Sequence, residues 1–119
     1  MTYSEMINVL WHGRNIYNTK TGLLLIPDVV DGDRYDESSG FRLPDNDWLY
    51  GYNICQLDPA RYDEYIEDSG SVVEYALGHI PAAGTCAPNR MDYWEAYDED
   101  DLNDLADELL AEAEGWKEV

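Results

Sequence analysis

Apolar residues occur along the chain in short blocks whose spacing changes from one block to the next. The clearest block is the last. Leu102, Leu105, Ala106, Leu109, Leu110, Ala113 and Trp116 recur at steps of three and four, the single apolar stripe of an amphipathic helix over about residues 99–115. At the other end, Thr2-Tyr3-Ser4-Glu5 has the form of a capping box and is followed by Met6, Ile7, Val9, Leu10 and Trp11. A short helix ending near Gly13 fits this run, and so does a strand, because so few apolar residues do not separate the two periods. Ile16-Tyr17 and Leu23–Ile26 flank Asn18-Thr19-Lys20-Thr21-Gly22, which predicts a hairpin, with Pro27 closing its second strand or marking an edge.

The middle of the chain reads less regularly. Asp28 to Gly40 is acidic, contains Ser and Gly, and predicts a loop. In Trp48–Leu57, Trp48, Tyr50, Tyr52 and Ile54 alternate with Leu49, Gly51 and Asn53 as a strand does. Asp58-Pro59 combines an N-cap with a proline in the first turn, so a helix is expected over Pro59–Asp68 and a stop at Ser69-Gly70. Ser71 to His79 fits a helix capped by Ser71 and Glu74 or a strand through Val72-Val73; the capping pattern favours the helix. Ile80 to Asn89, rich in Pro, Gly and Ala, predicts a loop. These elements imply an α+β fold: a small antiparallel sheet packed by two to four helices and ending in the amphipathic helix. At 119 residues the chain suits one domain and one core system.

Charge changes this picture. Twenty-six Asp and Glu stand against seven Lys and Arg, a net charge of −19. Such a load repels phosphate and excludes nucleic acid and anionic membranes as direct ligands. The longest apolar run, Leu23–Ile26, falls far short of the roughly 20 residues of a membrane span, and the N-terminus lacks the basic-then-apolar order of a signal peptide. A cytoplasmic location follows as the expectation. Cys55 and Cys86 stand far apart without a CxxC motif and read as two reduced, mostly buried thiols; His12 and His79 show no ligand spacing. No metal, cofactor or catalytic residue is expected. Asp31, Asp33 and Asp36 suggest a cation loop, but Tyr35 occupies the third ligand position of an EF-hand and no glycine follows it.

The charge is unevenly placed. Residues 1–27 carry Glu5 against Arg14 and Lys20. Residues 28–94 carry 14 acids and four arginines, and residues 95–119 carry 11 acids and only Lys117. The last fifth of the chain therefore holds about half of the net charge. Opposite the leucine stripe lie Asp100, Asp101, Asp104, Asp107, Glu108, Glu112 and Glu114. A solvated helix face is the ordinary reading of a charge run. Here, however, Asp100–Asp104, Asp104–Glu108 and Glu108–Glu112 are like-charge pairs at i,i+4, each unfavourable by about 0.2–0.5 kcal/mol, and acids at the helix end oppose the macrodipole. Local stability would favour other residues, which points to a basic partner. Carboxylates one turn apart, at roughly 5–6 Å, repeat much as backbone phosphates do.

The aromatic usage agrees, with ten Tyr and four Trp against one Phe, nearly every ring carrying a polar handle suited to an interface. Tyr62 and Tyr65 lie among Asp63, Glu64, Glu67 and Asp68, and Tyr93, Trp94 and Tyr97 precede the acidic helix; each fits an interface or a core margin equally well. With its acidic face from Asp98 to Glu114 and its Tyr/Asp runs, the chain resembles small phage DNA-mimic proteins, among them anti-restriction and acidic anti-CRISPR inhibitors. The resemblance rests on composition and charge layout. It implies a stoichiometric inhibitor that occupies the DNA-binding surface of a bacterial defence complex, in the host cytoplasm if the protein is phage-encoded. The residues themselves assign the partner-binding surface to Asp98, Glu99, Asp100, Asp101, Asp104, Asp107, Glu108, Glu112 and Glu114. Asp31, Asp33, Asp36 and Glu37 of the loop, and Asp63, Glu64 and Glu67 of the middle helix, are candidate extensions. Three other readings stand beside it: an immunity protein or antitoxin against a basic nuclease, a halophile-adapted surface, and an enzyme using paired carboxylates. Uniform acidity, which salt adaptation demands, is missing from the first 27 residues. No nucleophile elbow, phosphate loop or zinc signature supports the enzyme.

Overall fold

The computed structural model describes residues 1–32, 40–112 and 114–119. Thr2 opens helix α1 (Tyr3–Trp11). Its hydroxyl accepts from the Glu5 N–H while the Glu5 carboxylate accepts from the Thr2 N–H, which completes the capping box. The Thr2 backbone bond holds the Glu5 carboxyl below its ordinary range. Strands β1 (Ile16–Asn18) and β2 (Leu23–Val30) form the expected hairpin. Asn18, fully buried, fixes its turn by accepting from the N–H groups of Lys20 and Thr21. Gly22 is obligatory there: its φ is +79°, and a Cβ would sit 2.1 Å from the Leu57 carbonyl oxygen.

β2 runs on through Pro27 to Val30, past the expected stop, pairing with β4 (Trp48–Gln56) along its whole length. β1 pairs with β2 only as far as Leu25, so the missing proline N–H leaves no β1 carbonyl without a donor. The short strand β3 (Phe41–Arg42) and, later in the chain, β5 (Asp92–Glu95) share the other side of β4. Asp58 caps a 3₁₀ turn at Pro59–Arg61 that runs into α2 (Tyr62–Ser69), and Gly70, at φ +86°, ends it. Ser71 caps α3 (Val72–His79) by accepting from the Glu74 N–H, so this stretch is a helix. α4 (Glu99–Glu112) and a last strand, β6 (Trp116–Glu118), complete the chain. The sheet is antiparallel in the order β3-β4-β2-β1-β6, with β5 on β4. The α+β class, with four helices packed on a small antiparallel sheet, is as expected.

Alternation along the strands separates two cores. Ile16, Leu25 and Ile54 face one way and pack with Met6, Val9 and Leu10 of α1 and Leu102, Leu105, Ala106 and Leu109 of α4. Tyr17, Leu24, Ile26 and Cys55 face the other way and pack with Tyr65 of α2 and Val72 and Ala76 of α3. The sheet is therefore the middle layer, with α1 and α4 on one side and α2 and α3 on the other. Within β4 the expected alternation breaks. Asp28 lies opposite Gly51 but Val29 opposite Leu49, so Tyr50 is the extra residue of a bulge. The phase shift puts Leu49 in the same core as Tyr52 and Ile54.

Two further expectations are corrected. The final helix is described over Glu99–Glu112, and Trp116, expected on its stripe, belongs to β6. Gly115 adopts φ +102° and its carbonyl accepts from the Thr19 N–H, which turns the chain back beside β1. Trp116 is buried and donates its indole N–H to the Leu109 carbonyl, so it still helps seat the helix. Of the two thiols, Cys55 is buried, which pushes its pKa up to about 11, but Cys86 is exposed in the loop after α3. Asp33, Asp36 and Glu37 lie outside the described residues, as do Ala113 and the side chain of Glu112. No helix among the described residues is long and apolar enough to cross a membrane.

Candidate functional site

α4 is held by its ends as well as by its stripe. At its start, Asp98 accepts from the Asp101 N–H at 3.0 Å, and the Asp101 carboxylate accepts from the N–H groups of Tyr97 at 2.7 Å and Asp98 at 3.3 Å. This is a reciprocal cap with an acid at both positions. The Trp94 indole donates to the Asp101 carbonyl at 3.1 Å, tying the first turn to β5. At its other end the buried Trp116 indole grips Leu109. Leu102, Leu105 and Leu109 are buried while Leu110 is half-buried, so the helix cannot roll about its axis without exposing leucine.

That docking decides where the carboxylates point. At 100° per residue, Asp100, Asp104, Asp107 and Glu108 fall within an arc of about 100° directly opposite the buried stripe, and all four are exposed. Glu99 is exposed on the flank. Among the described residues the ion pairs are Arg14–Glu118, Lys20–Glu114, Arg61–Glu64 and His79–Asp68. None involves an acid of α4.

The expected surface therefore divides. Asp100, Asp104, Asp107 and Glu108 form an outward ridge that makes no ion pair among the described residues, with Glu99 exposed on its flank. Asp98 and Asp101 build the cap and owe their place to local structure. Glu114 lies past the helix, 3.8 Å from the Lys20 ammonium. Asp63, Glu64 and Glu67 are exposed but sit on α2, across the sheet from α4, so the two helices do not make one ridge. Glu64 is moreover paired with Arg61 at 2.8 Å. Asp31 is exposed just beyond β2.

The aromatic residues divide too. Tyr65 is buried, its hydroxyl accepting from the Asp58 N–H. Tyr62 is half-buried beneath the Lys117 ammonium, 4.8 Å from the ring centroid. Only Tyr93 and Tyr97 of this group are exposed. Their hydroxyls bond carboxylates, Tyr93 to Asp28 at 2.8 Å and Tyr97 to Glu95. The hydrogen bond to Glu95 raises the Tyr97 pKa above its ordinary value. The Asp28–Tyr93 pair spans 65 positions of sequence and carries no sequence signal; the strand register alone brings it together. Among the described residues no group of three or more His, Cys, Asp or Glu side chains is arranged to hold a metal ion. Comparison with protein-family models, characterised proteins and solved structures finds no match to this chain.

Proposed function

We propose that the protein is an acidic inhibitor of the DNA-mimic type, occupying the nucleic-acid-binding surface of a basic bacterial defence complex (anti-restriction or anti-CRISPR in kind) and blocking its access to target DNA. The observation that carries this reading is the outward face of α4, whose acids make no ion pair among the described residues. That face bears four carboxylates over the nine residues from Asp100 to Glu108, which at 1.5 Å per residue is one charge per roughly 3–4 Å. One strand of B-DNA bears one per about 3.4 Å. Lys and Arg placed to meet phosphates along a duplex thus meet a comparable charge density on α4, and each carboxylate can accept a bidentate bond from arginine. The buried stripe and the two indole bonds hold the array in place before binding, so little ordering cost remains to be met on association.

The test is capture from bacterial lysate with the tagged protein, followed by elution with duplex DNA. Recovery of a basic DNA-binding complex that DNA displaces, and whose capture fades steeply as salt rises from about 50 to about 200 mM, is the expected result. Recovery of no basic partner, or of one that DNA leaves in place, overturns the reading.

A further inference from the structure

Away from α4, a cleft of about 480 Å³ is lined by Asp28, Asn53, Tyr93 and the loop residues Ala82, Ala83 and Gly84. This volume is within the range of about 300–1,000 Å³ typical of small-ligand sites. The Tyr93 ring lies across β4 at Gly51, where a Cβ would come within 2.7 Å of two ring atoms, so any larger residue would lift the ring. Its hydroxyl donates to one oxygen of Asp28 at 2.8 Å, which fixes the carboxylate and leaves its second oxygen to accept. The Asn53 amide donates its N–H to the Ile26 carbonyl, leaving its side-chain oxygen as a further acceptor. The opposite wall has no polar side chain, and at Gly84 a Cβ would meet nothing within 4 Å.

The lining thus offers two oxygen acceptors and an aromatic face, with no cationic side chain. We infer that this cleft receives an arginine side chain from the basic partner, a step that rests on the inhibitor reading above and gives that partner an anchor apart from the α4 ridge. A guanidinium is planar and carries five donors, so it can stack on the Tyr93 ring while bonding Asp28 and Asn53. A lysine ammonium is more strongly hydrated and lacks the flat face. Two side-chain oxygens are too few for a dedicated Ca²⁺ site. The field at the cleft has the required sign: besides burial, the Asp28 bond and the charges of Asp28 and Glu95 raise the Tyr93 pKa.

The experiment is an amide-detected NMR titration with N-acetyl-arginine amide, repeated with N-acetyl-lysine amide. Saturable shifts at residues 28, 51–53, 82–84 and 93 are expected, with the arginine compound binding at least fivefold more tightly. Asp28→Asn should weaken the arginine compound at least fivefold and Tyr93→Leu at least threefold. Asn53→Ala provides the same test if either variant disturbs the fold. Asp104→Lys with Glu108→Lys should leave the titration within twofold. Equal binding of both compounds, shifts elsewhere only, or indifference to Asp28→Asn overturns the inference. The inhibitor reading fails separately, if the α4 double variant still captures the basic partner at full strength.

Discussion

Two acidic helices lie on opposite sides of the same sheet, and their charge density is equal: four carboxylates in the eight residues of α2, seven in the fourteen of α4. What differs is compensation. On α2, Glu64 meets Arg61 at 2.8 Å, and Asp68 lies 3.6 Å from His79 and accepts from the Ser69 hydroxyl. Arg61 also lies over the Tyr65 ring, and the Tyr75 and His79 rings stack at 4.1 Å. Two of the four acids of α2, Glu64 and Asp68, are thus tied into their own layer, while Asp63 and Glu67 are exposed. On α4, Asp98 and Asp101 cap the helix, while Asp100, Asp104, Asp107 and Glu108 are exposed and make no ion pair among the described residues. Acid density alone does not mark a binding surface. The proposed surface rests instead on acids for which no ion pair is found among the described residues.

The largest expected effect separates these helices by function. Reversing Asp104, Glu108 and Glu112 to lysine should weaken capture of the basic partner at least about 100-fold, taking about 1 kcal/mol for each lost contact and 1.4 kcal/mol per tenfold. Reversing Asp63 and Glu67 on α2 should change it less than about threefold. Binding assays in about 0.15 M salt, with circular dichroism to confirm the fold, decide between them. Equal losses from both helices would mean that total charge, and not the α4 face, governs binding.

Much of this contrast was legible in the sequence, but not all of it. The stripe from Leu102 to Leu109 predicted both the docking of α4 and the outward direction of its acids, because one helical period determines both faces. The capping patterns at Thr2, Asp58 and Ser71 located three helix starts, since a cap is a local bond between near neighbours. Strands β3, β5 and β6 were not anticipated. They are two to four residues long and are held by partners distant in sequence, so no period has room to appear. Trp116 kept the helical step and still left the helix, because Gly115 and the pairing with β1 outweigh a spacing. That α2 and α4 lie across the sheet from each other follows from strand register, which the position of acids along the chain does not encode.

A smaller effect tests the energetic side of the comparison. Asp104→Lys with Glu112→Lys, leaving Glu108 in place, turns the three like-charge i,i+4 contacts of α4 into attractive ones and puts a cation in the last turn. At about 0.2–0.5 kcal/mol per pair in each state, with a favourable dipole contribution, stability should rise by about 1–3 kcal/mol. The native protein should melt sharply in dilute buffer and gain Tm as salt screens the ridge; the variant's Tm should depend less on salt. Failure of the native protein to fold in dilute buffer would instead support a salt-adapted surface, and an unchanged salt response would show that the ridge carries little strain.

The smallest effect is the mirror image on α2. Arg61→Gln removes the 2.8 Å bond to Glu64 and the cation 5.2 Å from the Tyr65 centroid, leaving His79 as the one basic neighbour of the α2 acids among the described ion pairs. Both partners are about half exposed, so solvent screening keeps the expected loss below about 1 kcal/mol. The informative reading is the slope of Tm against salt. With Arg61 gone, α2 should behave as α4 does in the native protein, and the slope should steepen. If it does not, while the α4 variant flattens its own, then the helices differ in their surroundings and not in the pairing of their acids.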